Sequence, residues 1–195
     1  EKGYILFVGT LQPRKNLLRL IEAFSSVCHP ELVSGSRSKR DSDIRQNDTQ
    51  LVIVGKKGWL YEEILEAPKK FGVEDRVKFL DFVPDGDLPL LYKNALCFIL
   101  PSLYEGFGLP VLEAMKYGCP VITSNVSSLP EAGGDAALYV DPKDVSDIAD
   151  NLRLMIKTPE LRRELIKKGY QQVKKFSWEK TARETLKVLE EVARR

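Results

Sequence analysis

Six short, almost continuously apolar runs punctuate this chain, at residues 4–8, 51–55, 77–82, 95–100, 120–123 and 137–140. Most are followed by a segment with apolar residues at helical spacing. The clearest carries Leu17, Leu20, Ile21, Phe24 and Val27. A strand apolar throughout is buried on both faces, and strands alternating with helices form a parallel sheet covered on either side. The predicted fold class is therefore α/β, a Rossmann-like doubly wound parallel sheet of about six strands with right-handed crossovers. Helices are predicted over 16–27, 60–71, 87–94, 110–117, 144–157, 159–175 and 178–194. Pro68 disturbs the second. Asp87 is placed to cap the third, Pro110 and Gly118 bracket the fourth, and Ser177 caps the last. Ligands bind such sheets beyond the carboxyl ends of the strands. That singles out residues 9–15, 55–59, 83–87, 101–108 and 124–128.

One segment breaks the alternation. Residues 29–50 hold only Leu32, Val33 and Ile44 as aliphatic members and are rich in Ser, Arg and Asp. A link of about 2–6 residues is usual at such a place. The segment reads as a polar, disordered insertion.

Composition removes several classes of function. The chain has 195 residues, enough to bury a core without disulfides or metals. Its 30 Lys and Arg against 28 Asp and Glu leave a net charge of +2, too balanced for a general nucleic-acid binder. The apolar runs reach about six residues, whereas a membrane span needs about 20. The first residues lack a signal-peptide layout and lead straight into a core strand, as expected of a piece cut from something longer that could have lost a targeting segment; the expected location is cytoplasmic. Cys28, Cys97 and Cys119 are odd in number and form no CxxC pair, so reduced, buried thiols are expected. His29 is the sole histidine, which excludes metal sites built on several histidines.

Two stretches at strand ends carry candidate chemistry. Glu105-Gly106-Phe107-Gly108 leads into a helix that holds Glu113. Two glycines permit close approach of backbone to a ligand, and a helix N-terminus suits phosphate. Glu105 in the loop and Glu113, expected in the first helical turn, could bond sugar hydroxyls. The plainer reading is an acidic first turn favoured by the helix dipole. The second stretch is Gly9-Thr10-Leu11-Gln12-Pro13-Arg14-Lys15. Arg14 and Lys15 would face the same crevice and could neutralise a diphosphate. The plainer reading is a solvated basic helix start, although cations there oppose the helix dipole.

These stretches, VGTLQPRKN at 8–16 and PSLYEGFGLPVLEAMKYGCPVITSNVSSLPEAGGDAALYVDP at 101–142, resemble the C-terminal donor-binding domain of retaining GT-B glycosyltransferases of family 4, the glycosyl transferases group 1. LVIVG at 51–55, VKFLDFVPDGDLPLLYKNA at 77–95 and FSWEKTARETLKVLEEV at 176–192 are similar to it too. The resemblance covers nearly the whole chain except 29–50. It implies half of a GT-B fold, with a nucleotide-sugar-binding domain over 1–177 and a closing helix over 178–195 that packs on its own domain or toward an acceptor domain. Lys15, helped by Arg14, would bind the donor diphosphate, and Glu113 the ribose hydroxyls. Glu105 would contact the transferred sugar. Backbone at Gly9, Thr10, Phe107, Gly108 and Leu109 would meet phosphate and sugar, and backbone at Val83 the base. Many members carry Arg directly after the first glycine, where this chain has Thr10. Either Arg14 supplies the charge or the chain belongs to a branch reading GT-x-x-PRKN.

The implied reaction is metal-independent retaining transfer from a UDP-, GDP- or ADP-sugar, with GDP-mannose suggested by similarity and no cofactor. The acceptor would be a glycan or a lipid-linked glycan. The isolated chain would bind donor without transferring it. The alternatives are a stand-alone nucleotide-sugar-binding module or subunit, and another GT-B-like enzyme such as an epimerase or phosphorylase. Some signals carry less. Asp85-Gly86-Asp87 and Asp41-Ser42-Asp43 match the common tripeptide DxD, and the former reads better as a turn into a helix. Gly106-x-Gly108 lacks the third glycine of a dinucleotide fingerprint. Trp59 and Trp178 read as packing residues. Arg162, Arg163, Lys167, Lys168, Lys174, Lys175 and Lys180, with few acids nearby, form either a solvated face or a peripheral contact with the inner face of a membrane.

Overall fold

The computed structural model describes residues 3–29 and 49–194. The insertion at 29–50, including Asp41 and Asp43, lies almost wholly outside the described residues. One parallel sheet holds β1 (Tyr4–Val8), β2 (Gln50–Val54), β3 (Val77–Leu80), β4 (Cys97–Leu100), β5 (Val121–Ser124) and β6 (Ala137–Val140), in the order β3-β2-β1-β4-β5-β6. Helices α1 (Leu17–Cys28), α2 (Glu62–Lys70), α3 (Leu88–Asn94), α4 (Leu109–Lys116), α5 (Leu129–Gly133), α6 (Val145–Lys157), α7 (Pro159–Val173) and α8 (Trp178–Ala193) complete the chain. The predicted fold class is the observed one, with helices on both faces of the sheet.

Burial explains why the apolar runs are continuous. Every residue of β4 is fully buried, as are Ile5, Leu6 and Phe7 of β1. Only β3, at the sheet edge, alternates buried with exposed. The 77–82 run was expected to be strand throughout; it pairs only to Leu80, and Phe82 is exposed. From β1 the chain winds outward to β2 and β3, then crosses back to lay β4 against the other side of β1. The winding direction reverses between β1 and β4, so a crevice opens beyond their carboxyl ends.

Other expectations need correction. α2 starts at Glu62 rather than residue 60, because Leu60 takes a left-handed φ of 52°. Asp87 precedes α3 without a side-chain capping bond; its own backbone is already helical and its carboxylate is not turned to the free N–H groups. Asp144 does cap α6, accepting from Ser146 N at 2.8 Å, and Ser177 caps α8 at Lys180 N, 3.1 Å. The basic stretch in α7 is interleaved with acids: Arg163 pairs with Glu160 and Lys168 with Glu164. Arg162 donates to the carbonyls of Met155 and Ile156 at the end of α6. Trp59 and Trp178 are exposed rather than packed, and no residue of α8 is buried. All three cysteines are buried. No described helix is long and apolar enough to cross a membrane.

Candidate functional site

The loops after β1 and β4 are joined residue by residue. After Gly9 the chain makes a 3-10 turn, Pro13–Lys15, which ends on Asn16 at a left-handed φ of 61°. That turn separates Arg14 and Lys15 from the first turn of α1. Both cations still stand immediately before Asn16, the N-cap of α1, so the placement against that helix's dipole expected from sequence remains. Asn16 is buried and donates Nδ2 to the carbonyls of Pro101 and Pro142, at 3.0 and 2.6 Å. Leu103 N donates to Arg14 O, and Arg14 Nη1 to Tyr104 O. A conformation with φ > 0 is tolerated by Asn better than by most residues.

Glu105 sits at the centre of this junction. Its Oε1 accepts from Lys15 Nζ at 2.5 Å and from Ser102 Oγ at 2.7 Å, and its Oε2 from Arg14 Nη1 at 2.9 Å. Lys15 is 7% exposed and Glu105 8%, so the solvated basic surface considered above does not describe Lys15. Burial pushes the Glu105 carboxyl pKa up. The hydrogen bonds from Lys15, Ser102 and Arg14, with the Lys15 charge, outweigh it and leave the group below its ordinary value. The loop around Glu105 is tied in turn to the β5 loop. Glu105 N donates to Ser127 Oγ, and Ser128 Oγ to Glu105 O. One carboxylate faces two cations, so the cluster holds a surplus positive charge.

Glu113 lies apart from this cluster. The helix α4 begins at Leu109, with Gly108 at its N-cap at φ 99° and no capping side chain. Its N-terminal N–H groups thus have no side-chain partner. Because the helix starts there, Glu113 falls beyond the first turn, where it was expected, and the dipole explanation for it lapses. Its side chain is exposed on the wall of a groove of about 780 Å³, with Phe107, Leu109, Leu88, Phe176 and Trp178 among the lining residues. Phe107 meets Phe176 edge to face at 5.7 Å. Glu113 Oε2 accepts from the hydroxyl of Tyr92, at 3.1 Å.

The structure brings Lys15, Arg14 and Glu105 into direct contact and puts Glu113, Phe107 and Leu109 on one groove. Gly9 and Thr10 stand in the β1 loop, where Gly9 N bonds Val54 O and the Thr10 methyl faces Gly58. Val83, half-buried, follows β3 and lines neither feature. Of the two loop glycines, only Gly108 needs to be one. Gly106 has a normal φ and open space where a Cβ would stand. Sequence reasoning missed Tyr92, and it gave no individual role to Ser102, Ser127 and Ser128, which fall within the strand-end segments it singled out. Ser102, three residues before Glu105, was within reach of a local spacing argument; the others arrive from distant parts of the chain.

Comparison with known proteins bears on the family and the fold. Residues 1–172 match the family model described as glycosyl transferases group 1. The chain is 37% identical over 185 residues to O-antigen chain mannosyltransferase B of Escherichia coli, covering 95% of this chain and 45% of that enzyme. Sucrose-phosphate synthase of Thermosynechococcus elongatus superposes with a TM-score of 0.81 at 26% identity, covering 98% of this chain and 46% of that one. The C-terminal domain of a glycosyl transferase group 1 family protein from Francisella tularensis superposes with a TM-score of 0.71 at 26% identity, covering 89% and 85%. The chain spans less than half the length of the curated relatives it matches. A doubly wound sheet of GT-B type, with a carboxylate and two cations at its switch point and the family's sequence over most of its length, is a member of the glycosyl transferases group 1.

Proposed function

We propose that this domain binds the nucleoside diphosphate of an activated sugar at the β1/β4 switch point and is the donor half of a retaining, metal-independent glycosyltransferase of family 4. The observation that carries this reading is the buried Lys15, held with Arg14 against a single carboxylate. Lys15 is paired with Glu105, and Arg14, about a third exposed, shares the same carboxylate, so the cluster keeps a net positive charge that suits an incoming anion. In the proposed mechanism the bond between the anomeric carbon and the diphosphate oxygen breaks through an oxocarbenium-like state. Lys15 and Arg14 stabilise the charge on the leaving diphosphate, the role a metal ion would otherwise take. The acceptor oxygen bonds to the same face of the sugar, and its proton passes to the departing phosphate. Glu105 accepts from hydroxyls of the sugar and Glu113 from the ribose. Backbone at Gly9, Thr10, Phe107, Gly108 and Leu109 meets phosphate and sugar, and backbone at Val83 the base.

The similarity to a mannosyltransferase favours mannose as the sugar and GDP as its carrier. The acceptor, a glycan or lipid-linked glycan, would be held by a separate domain, in the cytoplasm and with peripheral contact to the membrane. A stand-alone binding module is the second reading, favoured by the completeness of the cation cluster within these residues.

Calorimetric titration with UDP, GDP and ADP tests the reading. One diphosphate, GDP by this argument, should bind, and Lys15→Ala should weaken it at least about tenfold, the loss expected for a charge-assisted contact. Absence of binding by all three would falsify the donor-domain reading. Transfer assayed with GDP-mannose should yield no product from these residues alone; turnover would show that no second domain is required.

A further inference from the structure

Tyr92 is among the largest fully buried side chains of the described residues, with 1% exposure, yet its hydroxyl bonds Glu113, a carboxylate on the wall of the groove. Its ring is fixed on two sides. Phe98 of β4 meets it edge to face at 5.6 Å, and Tyr117, just after α4, stacks on it at 6.0 Å. The phenol therefore approaches Glu113 from the core along a direction it cannot easily change. Burial and the neighbouring Glu113 carboxylate raise its pKa, so the hydroxyl remains a donor wherever the protein is folded.

We infer that Tyr92 is a positioning residue for nucleotide binding: its hydroxyl holds Glu113 in the conformation that presents the carboxylate to the vicinal hydroxyls of a bound ribose. The inference rests on the ribose role proposed for Glu113. A glutamate on a solvent-facing helix samples several rotamers, and binding would have to select one. A carboxylate has about four lone-pair sites. One bond from Tyr92 to Oε2 leaves capacity for two ribose hydroxyls while fixing the plane in which they are met. A buried tyrosine hydroxyl usually finds some acceptor. What distinguishes this one is that its acceptor faces the groove rather than the core, so the bond crosses from packed interior to ligand surface. It also links α3 to α4, and thus couples the loop after β3, where the base is expected, to the helix that carries Glu113.

The test uses Tyr92→Phe, which keeps the ring and removes the hydroxyl, in calorimetric titrations with GDP, UDP and ADP alongside Glu113→Ala and the double variant. Thermal midpoints are recorded for each. Affinity for the diphosphate that binds should fall roughly three- to tenfold in Tyr92→Phe, the range of one hydrogen bond. Glu113→Ala should lose at least as much. In the Glu113→Ala background, Tyr92→Phe should cost no further affinity, because its effect passes through that carboxylate. The same nucleotide lacking both ribose hydroxyls should bind all four proteins alike. A merely structural tyrosine would lower the midpoint and leave the affinities in parallel. If Glu113→Ala weakens binding and Tyr92→Phe does not, or if the two losses add, the positioning role is overturned and the ribose role stands. If Glu113→Ala binds as tightly as the parent, or no diphosphate binds the parent, the ribose role fails and takes the inference with it.

Discussion

Glu105 accepts from Lys15, Arg14 and Ser102 within a few ångströms, and this makes the cluster sensitive to acid. Its folded pKa lies below the ordinary glutamate value. A depressed folded-state pKa gives stability that is complete above the unfolded value, about 4.3, and is lost as pH falls through the folded one. Glu105→Gln should lower the thermal midpoint at pH 7 by roughly 5 °C, from about 1.5–3 kcal/mol of lost charged hydrogen bonding. The gap between the two proteins should close below about pH 4 as the parent carboxylate protonates. Midpoints that run parallel from pH 7 to pH 3 would refute the ion cluster as the source. At this scale the sequence named the charged residues but not their arrangement. Lys15, Arg14 and Glu105 stand out because they follow apolar strands at the carboxyl edge of the sheet, where ligands bind. Their mutual contact spans some 90 positions of chain, and no local spacing encodes it. Tyr92 was hidden for a different reason: a tyrosine in an apolar helix looks like core, and most of it is core.

Elements are legible to the degree that periodicity has room to act. α1 and α6 are long enough to repeat their apolar face, and both appear where the pattern puts them. α5 has five residues, with Leu129 and Ala132 buried, and a single turn of helix between Pro130 and Gly134 shows no period to read. The loops depend on close backbone approach that spacing does not announce. The parallel ladder of β1 and β2 continues past both strands, through Gly9 N to Val54 O, Leu11 N to Lys56 O and Gly58 N to Leu11 O, each 2.9 Å. Gly55 makes this possible: at φ 151°, a Cβ there would stand 2.0 Å from Gly9 O. Gly55→Ala should therefore destabilise by about 3 kcal/mol or more, and Gly72→Ala, at φ 68° with open space around it, by only about 1–2 kcal/mol. Chemical denaturation of the two variants measures the difference. Equal losses would mean that conformational strain alone decides, and that the β1 and β2 loops can part.

For the molecule as a whole, the alternation of strands and helices determined the class but not the strand order, since each crossover could have led to either side of β1. The observed reversal between β1 and β4 is what brings Lys15 to Glu105. One element takes no part in that core. The helix α8 has no buried residue, and Leu186, Val188, Leu189 and Val192 are each more than half exposed. Its side-chain pairs lie along its own surface, Lys180 with Glu184 and Lys187 with Glu191, at 3.9 Å and open to solvent. Such pairs contribute a few tenths of a kcal/mol at most. Deleting residues 178–195 should accordingly shift the thermal midpoint by less than about 3 °C, the equivalent of roughly 1 kcal/mol in a domain of this size. Diphosphate binding should persist, because Lys15, Arg14, Glu105 and Glu113 all precede the cut. A drop of 10 °C would place α8 against the sheet domain in solution, its apolar residues buried there. Loss of binding with an unchanged midpoint would assign Trp178, which lines the groove with Glu113, a direct share in holding the nucleotide.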